Sequence, residues 1–210
     1  MKVLTVFTSK GGSGKSTLAI HMAVLASQQK RGNNVLMLDY DVQESSTFWT
    51  RIRKSDNPPV LPADPGSFSG YLEQAEEEGI NLVVVDMPPH SATQADLVLS
   101  RSDLVLVPVR PGALDIWALE TTVKAINDNH ARGVFVLNQV PARGTEADET
   151  EEVLTEIAPQ IPVAKSRLGY RKPFSSALNA GLAITEFASP REKAAQEAAA
   201  LFAEIKRMLK

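Results

Sequence analysis

The chain predicts an α/β fold, a mostly parallel twisted sheet with helices on both faces, and three observations carry that expectation. Short apolar runs alternate with amphipathic stretches, the pattern of repeated strand–helix–strand units. A glycine-rich turn, Lys10-Gly11-Gly12-Ser13-Gly14-Lys15-Ser16-Thr17, separates the first apolar run from the first helical stretch. Two apolar runs end in aspartate, Asp39 and Asp86, and parallel sheets bind ligands beyond the carboxyl ends of their strands. At 210 residues the chain fits one domain with a sizeable core, so residues 1–210 are read as a single domain.

Val3-Leu4-Thr5-Val6-Phe7 reads as the first strand, and Leu18, Met22, Leu25 and Ala26 recur at helical spacing over a helix from about Ser13 to Lys30. Between them the glycines let successive backbone N–H groups converge on an anion, because no Cβ blocks its approach. The helix start adds unpaired N–H groups and the positive end of the helix dipole. Lys15 is placed to reach the β- and γ-phosphates of a nucleotide, and the Ser16 hydroxyl to ligate Mg²⁺. Gly11, Gly12, Ser13, Gly14 and Thr17 complete the cradle. In the ordinary pattern G-x-x-x-x-G-K-[ST] the first glycine would fall at Ser9; here a second lysine, Lys10, stands ahead of the glycine pair.

Arg31-Gly32-Asn33 reads as a turn into Val35-Leu36-Met37-Leu38, a buried-type strand ending in Asp39-Tyr40-Asp41. A short helix bearing Phe48, Trp49 and Ile52 follows, Asn57-Pro58-Pro59 breaks it, and Val60-Leu61 is predicted as a short edge strand. The helix predicted from Ser67 to Glu78 stops at Gly79, a suitable residue just past a helix end. Leu82-Val83-Val84-Val85-Asp86 matches the Walker B pattern, in which a carboxylate at the strand tip holds Mg²⁺ through its water shell beside the phosphates. Ser91 and Gln94 form a candidate capping box. Leu104-Val105-Leu106-Val107-Pro108 is another buried strand, and Asp115 is expected to cap a helix bearing Ile116, Leu119, Val123 and Ile126. Val134-Phe135-Val136-Leu137 forms the next strand, ending at Asn138.

An acidic helix is predicted from Thr145 to Ala158, with Val153, Leu154 and Ile157 inward and Pro159 and Pro162 bracketing its end. Ser189-Pro190-Arg191-Glu192 predicts a capping box with Pro at the first helical position. The last helix then carries the apolar stripe Ala194, Ala198, Leu201, Phe202, Ile205, Met208 and Leu209.

The composition, 43% hydrophobic and 22% charged, is that of an ordinary globular protein. There are no cysteines, which excludes disulfides and thiolate metal sites and agrees with a reducing cytosol. No leader pattern and no apolar run near the roughly 20 residues of a membrane span is present. The net charge of −3 argues against a protein built only to coat nucleic acid, yet the charge is uneven. Residues 146–156 are acidic, whereas Lys165-Ser166-Arg167-Leu168-Gly169-Tyr170-Arg171-Lys172 is basic with one aromatic, a composition that suits phosphate contacts.

The form K-G-G-x-G-K-[ST] resembles the deviant Walker A motif of the ParA/MinD family of dimeric ATPases. The order of motifs is similar to the small ParA-type partition ATPases that lack an added N-terminal DNA-binding domain, most densely in residues 1–45, 82–90 and 104–120. The resemblance implies a single-domain P-loop NTPase fold and slow, partner-stimulated hydrolysis of ATP with Mg²⁺. It also implies an ATP-dependent homodimer in which Lys10 reaches across to the partner subunit's phosphates, as an arginine finger does in other NTPases. Lys10, Lys15 and Asp41 are then the catalytic residues, Asp41 positioning the attacking water. Asp41-Val42-Gln43 departs from the family's usual D-P-Q. Asp39 helps organise the metal shell or makes a structural hydrogen bond, and Met87-Pro88-Pro89-His90 resembles the family's D-x-P-P switch loop. Asn138 matches an Asn that contacts the adenine. The family also implies DNA binding without sequence preference, for which Arg167, Arg171, Lys172, Lys193, Lys206 and Arg207 are the candidates.

A small centromere-binding protein is the expected partner and no membrane is expected. The expected location is cytoplasmic, with the nucleoid when ATP is bound. Two alternatives remain. One is a MinD-like membrane switch using an amphipathic end from Ala200 to Lys210. The other is a ParA-like positioner of other cargo, such as protein microcompartments. A metabolic enzyme of the iron–sulfur kind is excluded by the lack of cysteine.

Overall fold

The computed structural model describes residues 1–29, 34–41, 43, 45–89 and 95–210. The turn expected at Arg31-Gly32-Asn33, the end of the first helix at Lys30, and Val42, His90 and the Ser91/Gln94 box lie outside the described residues.

Among the described residues six strands form one sheet: β1 (Lys2–Val6), β2 (Val35–Asp39), β3 (Val60–Pro62), β4 (Leu82–Asp86), β5 (Leu104–Val109) and β6 (Gly133–Leu137). They are ordered β3-β2-β4-β1-β5-β6, and every pairing is parallel. Parallel strands buried on both faces read as near-continuous apolar runs, which is why five were legible as such, and the short edge strand expected at Val60-Leu61 is β3. The short β3 lies at an edge, which suits its brevity and its Pro62.

Alternation along each strand feeds two cores. Leu4, Val6, Leu82 and Val84 face a layer of α1 (Lys15–Ser27), α2 (Ser45–Ile52), α8 (Lys172–Asn179), α9 (Ile184–Phe187) and α10 (Lys193–Met208). Val3, Phe7, Val83 and Val85 face the layer holding α3 (Phe68–Glu77), α4 (Asp96–Leu99), α6 (Glu120–Asp128) and α7 (Glu146–Ile157). The short α5 (Ala113–Trp117) precedes α6 and has no buried residue. Helix α1 is buried almost all round from Leu18 to Ala26, because the sheet covers one side and α10 the other.

Three local expectations are corrected. Asp115 does not cap a helix: Gly112 precedes α5, and Asp115 lies inside it, bound to Arg110 Nε at 3.0 Å. Val153 and Ile157 of α7 do not face the core; they are 36% and 50% exposed, while Ala147, Thr150 and Leu154 are buried. Helix α10 begins at Lys193, not at Pro190: Glu192 Oε1 accepts from Ser189 N at 3.0 Å, so the expected box closes a separate turn ahead of the helix.

Candidate functional site

The carboxyl ends of β1, β2 and β4 put the chemistry-bearing residues side by side. Val6 pairs with Asp86 and Asp39 pairs with Asp86 in register, so the two aspartates sit at adjacent strand tips. The turn after β1 carries left-handed φ values at Gly12 (75°) and Gly14 (90°). Gly14 is obligatory on a second count, since a Cβ there would lie 2.4 Å from Asn138 Nδ2. The start of α1 has no side-chain cap and no acidic residue in its first turn. Its N–H groups and dipole are therefore free to meet an anion.

Lys15 and Lys10 differ sharply. Lys15 is buried and its Nζ donates to the Lys10 carbonyl at 3.0 Å. Burial lowers its pKa, opposed by the Asp86 and Asp41 charges. Lys10 is half-buried, and among the described residues its ammonium meets no protein partner. Ser13 Oγ also leans on the Lys10 carbonyl, at 3.4 Å. Ser16 and Thr17 occupy the first turn of α1, and Gly11 has open space around it.

Asp86 is fully buried. Its Oδ2 accepts from Ser46 Oγ at 2.7 Å, while among the described residues Oδ1 has no hydrogen-bond partner. Burial pushes its pKa up to about 7, against the Ser46 and Ser16 hydroxyls, and the nearby Asp39 adds to the rise. A buried, half-satisfied carboxylate beside a serine and a phosphate cradle fits a hard cation with oxygen ligands such as Mg²⁺. Among the described residues no three ligating side chains converge, so most of such an ion's ligands would be phosphate oxygens and water. Asp39 fits this less well. Its Oδ2 accepts from Thr47 N (2.7 Å) and Thr47 Oγ1 (2.9 Å), and its Oδ1 from Asp41 N (3.1 Å). Of its two expected roles, these bonds support the structural one. Asp41 Oδ1 in turn accepts from Gln43 N at 2.9 Å.

Asn138 is buried at the end of β6, and its amide is committed: Nδ2 donates to Ser13 O at 2.7 Å, and Oδ1 accepts from Gln139 N at 2.9 Å. It holds the phosphate loop from behind and also lines a cavity of about 510 Å³ with Gly14, Thr17, Leu168 and Phe174. That volume, opening beside the cradle, suits the nucleoside half of a nucleotide.

Of the six candidate DNA residues, Arg171, Lys172 and Lys193 line one cleft and Lys206 and Arg207 another. Arg167 is bound to Asp148 and Glu151 of α7, both at 2.6 Å. Arg171 is bound to Glu197 of α10 at 2.7 Å. Lys172 and Lys193 are exposed and line one small cleft. Lys206 and Arg207 sit at the far end of α10, Lys206 Nζ donating to Gln29 Oε1 at 2.8 Å.

Several residues of the site gave no motif. Ser46 serves Asp86, Thr47 serves Asp39, and Gln139, with φ of 54°, donates to Gly12 O at 3.3 Å. Thr122 of α6 is fully buried and accepts from Ser9 N at 3.0 Å, with Ser9 Oγ 3.0 Å from its hydroxyl. The Ser45-Ser46-Thr47 run after the Asp39 strand was the one available signal, since hydroxyls in a helix's first turn serve carboxylates nearby.

Residues 4–184 match the CobQ/CobB/MinD/ParA nucleotide binding domain. A Maintenance of carboxysome distribution protein A from Gloeobacter kilaueensis is 31% identical over 95% of this chain and 89% of the relative. A Protein ParA from Rhizobium radiobacter is 33% identical, over 55% of this chain and 51% of the relative. The fold is shared with a solved ATP complex of McdA from Cyanothece (TM-score 0.74, 18% identity, 100% and 96% of the two chains). It is shared equally with MinD from Aquifex aeolicus (TM-score 0.74, 17% identity, 99% and 98%).

Proposed function

The chain belongs to the CobQ/CobB/MinD/ParA nucleotide-binding family and is a ParA/MinD-type ATPase using ATP and Mg²⁺, and from that premise we propose that it is a dimeric switch that positions cargo on DNA. The observation that carries this reading is the contrast between the two lysines. Lys15 is folded under its own loop, whereas Lys10 is left without a partner among the described residues. A cation held this way can serve a second subunit's phosphates, adding positive charge where the γ-phosphoryl group develops negative charge. Each site is then complete only in the dimer, so dimerisation reports nucleotide state.

Bound Mg²⁺ would neutralise charge on the β- and γ-phosphate oxygens. Ser16 and Asp86 are the residues that would hold it, Asp86 through water. Asp41, fixed by Gln43 N through Oδ1, orients the attacking water. Asp39 keeps that loop in place through Thr47 and the Asp41 N–H. Asn138 and the adjoining cavity take the nucleoside.

For the cargo, coverage favours a protein assembly over a plasmid. The carboxysome-distribution relative matches 95% of this chain, the ParA relative 55%. In the ATP-bound dimer the basic residues late in the chain hold DNA phosphates without reading sequence. Lys172 and Lys193 come first, because Arg167 and Arg171 are neutralised by carboxylates. A small partner protein stimulates turnover and releases the DNA. The protein works in the cytoplasm, on the nucleoid when ATP is bound.

Binding to random-sequence DNA and to anionic vesicles, each with ATP, ADP or no nucleotide at two salt concentrations, tests the reading. ATP-specific, salt-sensitive DNA binding supports it. ATP-specific vesicle binding overturns it in favour of a membrane switch. Leu201, Phe202 and Ile205 are buried against the core, which argues for the first outcome.

A further inference from the structure

Ser9 stands where the ordinary phosphate-loop motif has its first glycine, and its partner lies 113 positions away on α6. Phe7 N donates to Leu106 O at 2.9 Å; beyond it, among the described residues, the N–H groups of residues 8–13 meet no backbone carbonyl. Thr122 supplies an anchor instead. Its Oγ1 accepts from Ser9 N at 3.0 Å and lies 3.0 Å from Ser9 Oγ. The single Ser9 hydroxyl proton goes to Ala118 O, at 3.0 Å, so the Thr122 hydroxyl donates to Ser9 Oγ. Both hydroxyls and the Ser9 N–H are thereby satisfied in a place that is closed to solvent, with Ser9 8% exposed and Thr122 fully buried. Thr8 Oγ1 adds longer contacts, 3.5 Å to Thr122 Oγ1 and 3.5 Å to Lys10 N. The platform is stiff, because Leu119, Ala125 and Ile126 pack the inner side of α6 into the core.

We propose that Thr122 is a positioning residue: with Ser9 it forms a clasp that fixes the backbone from which Lys10 projects. Lys15 Nζ holds the Lys10 carbonyl from the other side, at 3.0 Å. The main chain is thus gripped before and after the Lys10 Cα, while the ammonium has no protein partner among the described residues. A long side chain loses less freedom on reaching its target when its stem is already placed. The clasp needs a serine at position 9, because a glycine brings no hydroxyl to Ala118 O and Thr122. The departure from the ordinary motif and the buried threonine on α6 are therefore two halves of one device. Its effect on dimerisation rests on the cross-subunit role given to Lys10 above; the fixing of Ser9 does not.

The test uses the full chain with Thr122→Val, which keeps the shape and removes the hydroxyl, and Thr122→Ser, which keeps the hydroxyl. Thr5→Val is the control, since Thr5 is an equally buried threonine on β1 whose Oγ1 lies 2.7 Å from Ser102 Oγ. Both valine variants are expected to lose stability in denaturant melts. Only Thr122→Val should speed hydrogen exchange at the Ser9 amide, read by NMR, and weaken the ATP-dependent dimer in light scattering, each by about tenfold. Its affinity for ADP, which senses the cradle without a second subunit, should stay within about threefold of wild type. Thr122→Ser should bring exchange and dimer back to within about threefold of wild type. Unchanged exchange in Thr122→Val overturns the proposal. So does a dimer that Thr122→Val leaves intact while Lys10→Ala abolishes it, or one that Thr5→Val weakens equally, since the threonine is then ordinary packing. A dimer untouched by Lys10→Ala defeats the cross-subunit reading instead, and exchange at the Ser9 amide still decides the clasp.

Discussion

The phosphate-loop end and the basic segment at 165–172 look alike in sequence, each a short run with several cations and glycine, but the structure treats their charges in opposite ways. At the phosphate loop polar groups are left wanting: among the described residues Asp86 Oδ1 and the Lys10 ammonium meet no partner, and the start of α1 has no side-chain cap. In the basic segment both arginines and three backbone N–H groups are answered. Glu204 accepts from Lys165 N and Ser166 N (2.8 and 2.9 Å), Glu197 takes Gly169 N and Arg171, and Arg167 has two carboxylates. A polar group left unsatisfied at a protein's interior edge costs free energy that a ligand can recover. A cation already bound to its own carboxylates has less to offer an outside phosphate. Unmet need, more than charge count, separates a binding site from a braced loop.

The largest expected effect tests the first half of that contrast. Lys15→Ala removes the cation nearest the cradle and should weaken ATP binding by about 100-fold or more in calorimetry. Retained affinity would falsify its role. Lys10→Ala should keep ATP binding within about threefold yet lose the ATP-dependent dimer in light scattering and cut stimulated turnover at least about tenfold. Unchanged dimerisation would show that the unpartnered lysine serves no second subunit.

A third prediction follows from His21, which lies behind the loop on α1. It is fully buried, its Nδ1 accepts from Ile184 N at 3.3 Å, and burial lowers its pKa to about 4. The unfolded chain takes up the proton first, so its contribution to stability is lost as pH falls from about 6.5 towards 4. Asp86, pushed up to about 7, acts in the opposite sense and loses stability as pH rises through that value. His21→Asn keeps an acceptor but cannot titrate. Denaturant melts should show wild type gaining on the variant by up to about 3 kcal/mol from pH 4 to pH 7. A flat difference would mean that the His21 site is wetter than its packing against Phe174 indicates.

The smallest effect sharpens the second half. Replacing Lys172 and Lys193 together by Glu should weaken DNA binding by the ATP-bound protein about tenfold, and Arg167→Ala by less than about threefold. The reverse order would show that the ion pairs of Arg167 open to admit DNA.

Local chemistry explains why so much was legible. The strands of a parallel sheet are apolar throughout, and the phosphate loop needs its glycines and lysines in consecutive positions, so β1, β2, β4, β5, β6 and residues 10–17 are written in neighbouring letters. Asn138 was singled out for a base contact, and no local pattern shows that its amide also holds Ser13 O, 125 positions away. Thr122 was invisible, because a threonine on a helix says nothing until Ser9 arrives opposite it.

By itself, then, the order of residues determined the strands, the longer helices and the phosphate cradle, which follow from periodicity and from contacts between near neighbours. Only the tertiary structure decided which cations are paired, which face of α7 meets the core, and that Trp117 lines a groove with Val153 and Ile157. Those outcomes depend on what an element finds across from it. A side chain's partner is chosen in three dimensions, by whichever distant segment the sheet order brings within about 3 Å.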